Sequence, residues 1–120
     1  MTSTDAEFWA LMDELIAGSG IAIDLPAASR HPRFPEIVYP LDYGYLENTA
    51  SSDGEGIDLW IGTAKGRGLT GMFVTVDPEK RDSEIKLVID CTDAETVKID
   101  HFFNGYPGMR ALYIPREEQK

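Results

Sequence analysis

Short apolar segments are the feature that most restricts how this chain can fold. Residues 21–25 and 69–76 alternate apolar and polar side chains with the period of two of a half-buried strand. Further strand-like segments occur at residues 59–62, 85–89 and 110–114. A transmembrane helix needs about 20 consecutive apolar residues, and no segment approaches that length. The pattern therefore predicts a domain built on short strands, with no membrane partner.

Two segments have the sequence pattern of an amphipathic helix that begins at a capping box. Residues 4–7 and 92–95 each place a Thr three positions before a Glu, and apolar residues follow at helical spacing. Gly18 and Gly105 mark the expected ends of these helices. We therefore expect one helix near each end of the chain.

The length and composition are those of one globular domain. The chain has 120 residues, of which 42% are hydrophobic and 27% are charged. We expect a single domain over residues 1–120, of mainly β (α+β) class: a small closed antiparallel β-barrel, OB-like, with an N-terminal and a C-terminal helix. Residues 117–120 are expected to fray. The N-terminus lacks the basic and then apolar pattern of a signal peptide, so we expect a cytoplasmic protein.

The charge balance excludes some functions and leaves others open. Acidic residues outnumber basic residues by 21 to 11, which gives a net charge of -10 that would repel nucleic acid. One cysteine, Cys91, and two histidines, His31 and His101, are too few for an intrachain disulfide or a typical zinc site. The sequence favours a hard cation with oxygen ligands such as Mg²⁺, although a soluble acidic surface also accounts for the charge.

Three carboxylates lie within six residues at Asp53, Glu55 and Asp58. Glycines separate them and allow a tight turn, so the three side chains can converge. Converging carboxylates raise one another's pKa, and a divalent cation usually stabilises such a group. An EF-hand calcium loop would need a Glu at position 64, where the chain has Ala64. A solvated acidic turn before a strand is the other interpretation.

The segment from residue 26 to residue 40 holds four prolines, which predicts irregular or edge backbone. Arg30, His31 and Arg33 make it the densest positive patch in an acidic chain, directly before the tyrosine-rich residues 39–45. Both a solvated loop and a binding loop are consistent with this composition.

Two motifs, at a characteristic distance from each other, resemble those of the family I (soluble) inorganic pyrophosphatases. Residues 39–45 read Tyr-Pro-Leu-Asp-Tyr-Gly-Tyr, similar to the family's Tyr-Pro-x-Asn-Tyr-Gly-Phe/Tyr. Residues 53–59 read Asp-Gly-Glu-Gly-Ile-Asp-Leu, similar to the family's Asp-Gly-Asp-Pro-Leu-Asp followed by a hydrophobic residue. Weaker similarity occurs at residues 23–26, 86–88 and 101–106. The resemblance touches most of the chain.

The resemblance implies Mg²⁺-dependent hydrolysis of inorganic pyrophosphate, or of a related phosphoanhydride, with Mn²⁺ as a substitute metal. In such a reaction metals activate the attacking water, and cationic and phenolic side chains hold the phosphate groups. The residues implied are the metal ligands Asp53, Asp58, Asp77 and either Asp82 or Glu84, the catalytic Glu55 and Asp58, the phosphate contacts Arg33, Tyr43, Lys86 and Tyr106, and the supporting Asp24. The resemblance also implies a role in phosphate metabolism and a homo-oligomer.

Departures from the family pattern leave a second interpretation open. Glu55 replaces the central Asp, Gly56 replaces Pro, and Pro107 stands where the family has Lys. An added methylene moves a carboxylate by about 1 Å, and a misplacement of that size can cost about 100-fold in rate. Residues 26–39 are also fewer than in the corresponding family segment. The alternative is a pyrophosphatase-like barrel, impaired in catalysis, that binds a protein or a small anion.

Overall fold

The computed structural model describes residues 3–116, so the expectation for residues 117–120 lies outside the described part of the chain. Over this range the chain forms two helices and six strands. The helices are α1 (Thr4–Ala17) and α2 (Asp93–Asn104). The strands are β1 (Ile21–Leu25), β2 (Asp42–Leu46), β3 (Asp58–Ile61), β4 (Leu69–Asp77), β5 (Asp82–Ile89) and β6 (Arg110–Pro115). The predicted helix near each end and the predicted short strands are confirmed.

The two helix starts differ in how well the sequence predicts them. At α2 the predicted capping box is present, because Thr92 accepts from the Glu95 N–H and Glu95 accepts from the Thr92 N–H. Glu95 also accepts hydrogen bonds from Thr63, which ties the helix to the end of β3. At α1 the N-cap is Ser3 rather than the predicted Thr4. Each cap contributes about 1 kcal/mol to helix stability.

One six-stranded sheet runs through the domain in the order β1-β2-β3-β5-β4-β6. Neighbouring strands are antiparallel except β3 and β5, which run parallel. Within residues 3–116, β1 and β6 form the two edges of the sheet and do not pair with each other. The expected closed antiparallel barrel is therefore not confirmed, and the architecture is a small α+β domain with an open mixed sheet. The parallel pair arises because β3 lies beside β5 rather than beside β4, its neighbour in sequence.

The two helices pack on opposite faces of this sheet. Leu59 and Trp60 are consecutive in β3, so their side chains point to opposite faces. Trp60 lies in the core cluster that contains Ile99 of α2, and Leu59 lies in the cluster that contains Trp9 of α1. The resulting order of layers is helix, sheet, helix. Among the described residues, neither helix is long and apolar enough to cross a membrane.

Candidate functional site

Charged side chains from three neighbouring strands share the α2 face of the sheet. In β5, alternate residues from Asp82 to Val88 point to this face, because Val88 lies in the core beneath α2. Asp58 of β3 lies beside Lys86 of β5, and Asp77 of β4 lies opposite Asp82. The charged residues on this face of the three strands are Asp58, Asp77, Asp82, Glu84 and Lys86. The topology thus places all the predicted strand ligands on one surface.

Lys86 is at the centre of the contacts on this surface. Its Nζ donates to Asp58 Oδ2 at 2.5 Å and to Glu84 Oε2 at 2.8 Å. The side chains of Lys86 and Glu84 are 10% and 12% exposed, and that of Asp58 is 30% exposed. Burial lowers the pKa of the Lys86 ammonium, but the oxygen atoms of Tyr43, Asp58 and Glu84 outweigh burial and raise it. Lys86 is therefore a charged ammonium held between two carboxylates.

Tyr43 of β2 binds the same carboxylate as Lys86. Its hydroxyl donates to Asp58 Oδ2 at 2.9 Å, and its ring centroid lies 5.7 Å from Lys86 Nζ. Burial raises the pKa of the Tyr43 phenol, Asp58 raises it further, and the Lys86 ammonium only partly opposes both. Tyr43 therefore stays protonated and donates. Tyr43 and Lys86, the two predicted phosphate contacts in this region, thus both donate to the same oxygen of Asp58.

Asp53 joins the group from the loop that precedes β3. Its Oδ1 accepts from Ser51 Oγ at 2.6 Å and from the Glu55 N–H at 2.9 Å. These hydrogen bonds, and to a smaller extent the neighbouring Glu84 side chain, lower the pKa of Asp53 to about 2. The hydrogen bond from Lys86 lowers the pKa of Glu84, but burial and the neighbouring Asp53 carboxyl outweigh it, so the net shift is upward. Asp53 is thus the more readily ionised member of a carboxyl pair.

The remaining predicted carboxylates lie around this group rather than inside it. Glu55 approaches Asp53 through its backbone N–H, and its own side chain is exposed. Asp77 Oδ1 accepts from the Lys80 N–H at 3.2 Å and so caps the turn between β4 and β5. Asp82 is half-buried opposite Asp77 at the same end of the hairpin. Of the two alternatives that the sequence left open, Glu84 is the one that contacts Lys86.

Arg33 and Tyr106, the other predicted phosphate contacts, lie elsewhere. Arg33 is in the proline-rich loop, with its guanidinium carbon 5.6 Å from the centroid of the Phe34 ring. Tyr106 follows α2 and lines a shallow cleft of about 400 Å³ together with Lys98 and His101. The hydrogen bonds within the described residues do not connect either side chain to Lys86.

Tyr39 links the proline-rich loop to the charged group. Its ring lies 6.2 Å from that of His31 and 5.5 Å from that of Tyr43, measured between centroids. Burial raises the pKa of Tyr39, Lys86 opposes this, and the charges of Asp58 and Asp24 add to the rise. Asp24, the predicted supporting carboxylate, occupies the irregularity of β1 between residues 23 and 25 and is exposed.

Ser51 belongs to this group of contacts and was not predicted from the sequence. It supplies the first of the hydrogen bonds that keep Asp53 ionised, and its Oγ lies 3.1 Å from the Glu55 carbonyl oxygen as well. Its position two residues before Asp53 in a glycine-containing turn was the available signal, since short polar side chains commonly hydrogen bond within such turns.

The carboxylate oxygens of the site are suitable ligands for a hard cation, but in the structure they bind the Lys86 ammonium. Carboxylate oxygens are the ligands that Mg²⁺ and Mn²⁺ prefer. In residues 3–116, however, no group of three or more His, Cys, Asp or Glu side chains is arranged to hold a metal ion. Lys86 stands between Asp58 and Glu84, the two best-placed donors. A divalent cation would therefore share these carboxylates with Lys86 or displace it.

Comparison with known proteins does not add a family to this description. No protein-family model matches the chain, and no curated protein matches it. The likeness to pyrophosphatases thus rests on the motif residues alone.

Proposed function

We propose that this protein is a Mg²⁺-dependent hydrolase of inorganic pyrophosphate or a related phosphoanhydride, and a shortened relative of the family I pyrophosphatases. The observation that carries the proposal is the chain of hydrogen bonds that runs from Glu84 through Lys86 and Asp58 to Tyr43, with Asp53 near enough to Glu84 for the two carboxyls to shift each other's pKa. These five residues come from four separate segments of the chain, and each matches a position implied by the motifs. The proposal includes a relationship of this sheet to the family's OB-like barrel, a cytoplasmic location and a homo-oligomer.

The charge of this group favours a divalent cation as the first ligand. Asp53, Asp58 and Glu84 supply three carboxylates against the single ammonium of Lys86, so the group attracts cations and repels a free phosphate anion. Asp53, Asp58 and Glu84 are the carboxylates that we propose for Mg²⁺ or Mn²⁺, and because the described residues hold no group of three arranged for a metal ion, these side chains would have to move to bind it. Asp77 lies on the same face. Once bound, the ion supplies charge neutralisation for phosphoryl oxygens and a water of lowered pKa.

The side chains of the site supply binding and orientation. Phosphoryl transfer depends on positioning and electrostatic stabilisation rather than on covalent catalysis by the protein. The Lys86 ammonium and the Tyr43 hydroxyl are donors that suit phosphoryl oxygens. The Ser51 hydroxyl and the Glu55 N–H keep Asp53 ionised. The protein thus offers carboxylates for the metal and donors for the substrate within one hydrogen-bonded group.

The direct test is phosphate release from pyrophosphate by the purified chain, with Mg²⁺ and then with excess chelator. We expect release that the chelator abolishes. Asp58→Asn should abolish release while the far-UV CD spectrum is unchanged, since it removes the carboxylate that contacts both donors. Glu14→Gln, an exposed position on α1, is the control for charge and should retain full release. Absence of release with both Mg²⁺ and Mn²⁺, or full release by Asp58→Asn, would refute the proposal.

A second candidate function is an anion-binding module without hydrolysis. The observation that favours it is that Lys80 and Arg33 lie near His31 of the proline-rich loop: burial lowers the pKa of His31, Lys80 and Arg33 lower it further, and Glu36 only partly opposes them, so the positive charge of the group comes from Lys80 and Arg33. Such positive charge suits a small anion without a metal. Binding of imidodiphosphate in excess chelator, lost in Arg33→Gln and retained in Asp58→Asn, would favour this function over hydrolysis.

A further inference from the structure

The side-chain amide of Asn104, the last residue of α2, binds the backbone of β6 at the edge of the sheet. Its Oδ1 accepts from the Ala111 N–H at 2.9 Å, and its Nδ2 donates to the Ala111 C=O at 3.2 Å. Nδ2 also donates to Asp100 Oδ1 at 3.3 Å, one turn earlier in α2, which orients the amide. An amide that bonds both backbone groups of one strand residue makes the contacts that a residue of a further strand would make.

These hydrogen bonds identify the backbone groups of β6 that face away from β4. In an antiparallel pair, residues whose N–H and C=O face the partner strand alternate with residues whose groups face outward. Ala111 faces outward to Asn104, so Tyr113 faces outward as well. Pro115, the next outward position, has no N–H. Among residues 3–116, no turn, loop or side chain binds the backbone of Tyr113, which leaves an open donor and acceptor at this edge.

The two edges of the sheet differ in how well they could accept a further strand. β1 is irregular between residues 23 and 25 and carries the exposed Asp24 there, and irregularities and charges both hinder strand addition. β6 pairs regularly with β4 over its whole length, and its one charged residue, Arg110, is at its start. Leu112 at the centre of β6 is 76% exposed, more than any other large apolar side chain of the described residues. Apart from the Asn104 contact and its terminal proline, β6 therefore has the properties of a strand that pairs with another strand.

We propose that the β6 edge is a pairing surface for β6 of a second copy of this chain, and that the Asn104 amide keeps this surface closed. The surface lies outside the carboxylate site, so it is independent of the proposed function. Loss of the Asn104 contact would expose both backbone groups of Ala111 beside those of Tyr113.

A second copy fits this edge because two identical antiparallel strands are complementary about a two-fold axis. With Leu112 opposite Leu112, Ala111 of each copy lies opposite Tyr113 of the other, and both residues have outward backbone groups. Each of these pairs can exchange both backbone hydrogen bonds. The axis also brings the two exposed Leu112 side chains together on the α1 face of the sheet. Arg110 then lies opposite Ile114, so like charges do not meet.

The Asn104 amide prevents this arrangement because it occupies the N–H and the C=O of Ala111. While it does so, Tyr113 is the outward residue that keeps both groups open. Pairing Tyr113 with Tyr113 shifts the register and places Arg110 of one copy opposite Arg116 of the other. Like charges directly opposite each other are destabilising, so the closed edge disfavours this second register as well.

The test compares molecular masses by sedimentation equilibrium over a dilution series. Asn104→Ala removes both hydrogen bonds to Ala111, and we expect its mass at high concentration to be at least double that of the unmodified protein, with reversal on dilution. The double variant Asn104→Ala/Leu112→Glu should keep the unmodified mass, because two carboxylates would meet at the axis. Thr92→Ala is the matched control, since it weakens the other end of α2 and leaves Asn104 in place. Its mass should not change.

An unchanged mass for Asn104→Ala overturns the proposal, and so does an increase that survives Leu112→Glu. An equal increase in Thr92→Ala also overturns it, since weakening of the helix alone would then explain the association. Amide hydrogen exchange of the unmodified protein is a second measurement that needs no variant. Relative to an unfolded chain, the Ala111 N–H should be protected about tenfold or more over the Tyr113 N–H. Equal protection overturns the proposal, and this comparison decides if Asn104→Ala does not fold.

Discussion

Removal of Lys86 should destabilise the fold far more than removal of Lys86 together with one of its partners. Glu84 is 12% exposed and Asp58 is 30% exposed, so Lys86→Met leaves two poorly solvated carboxylates without their cation. Breaking a buried ion pair on one side costs about 3–5 kcal/mol, whereas replacing the pair by apolar residues is often neutral. We therefore compare Lys86→Met, Glu84→Met and the double variant Lys86→Met/Glu84→Met.

The magnitude follows from the exposure of the partners. Because Asp58 keeps some contact with water, the lower end of the range applies, and Lys86→Met should cost about 3 kcal/mol. Glu84→Met leaves Lys86 paired with Asp58 and should cost about 1 kcal/mol. The double variant should cost about 1–2 kcal/mol, which is less than the sum of the single changes by about 2–3 kcal/mol.

Urea unfolding followed by CD, in excess chelator, measures these free energies. With a slope of about 1.5 kcal/mol/M, the midpoint of Lys86→Met should fall by about 2 M and that of the double variant by about 1 M. Lys98→Met, which removes an exposed charge, should change the midpoint little. Free energies that add to within about 0.5 kcal/mol would show that Lys86 and Glu84 are not coupled, and would refute this account of the site.

Three further changes test the loop, a helix cap and a strand contact. Ser51→Ala should raise the pKa of Asp53 from about 2 toward its ordinary value, because a hydrogen bond to the carboxylate is lost. As the solution is acidified, the stability that the ionised Asp53 supplies should then be lost at a higher pH. A carboxyl ¹³C NMR titration that still gives a pKa of about 2 would contradict this. Thr92→Ala should lower stability by about 1 kcal/mol, and an unchanged Tm would disprove the role of the cap. Gly44→Ala would place a Cβ against the backbone carbonyl oxygen of Ala22, so it should cost about 3 kcal/mol or more in urea unfolding, and a loss below about 1 kcal/mol would contradict the β1–β2 contact.

Local features of the fold could be predicted because neighbouring residues determine them. The α2 cap follows from Thr92 and Glu95, which are three residues apart, and β1 and β4 follow from their alternating side chains, whereas β2 was not predicted. At α1 two hydroxyl residues stand side by side, and the sequence pattern favoured Thr4 where the structure uses Ser3. Sheet order is different in kind, since alternation identifies a strand and carries no information on its partner. The parallel contact of β3 with β5 therefore could not be predicted.

The site shows the same division. The resemblance of the motifs predicted Asp53, Asp58, Tyr43 and Lys86 as members of the site. It could not choose between Asp82 and Glu84 on β5. The strand register distinguishes them. Glu84 is two residues from Lys86 on the same face, whereas Asp82 lies at the start of β5, next to the hairpin turn. Their roles as metal ligands stay predictions. What the structure adds is the identity of the side chain that each one contacts.

For Lys86, the role that the resemblance implies differs from the contacts that the side chain makes in the structure. By resemblance it is a phosphate contact, and by its contacts it is the counter-cation of Asp58 and Glu84. The two roles use the same three donors, so they cannot both be exercised fully at one time. In a chain of net charge -10, an ammonium that is only 10% exposed compensates the charge of Asp58 and Glu84 within the fold. A phosphate contact by Lys86 would therefore require its ammonium to leave at least one of these two carboxylates.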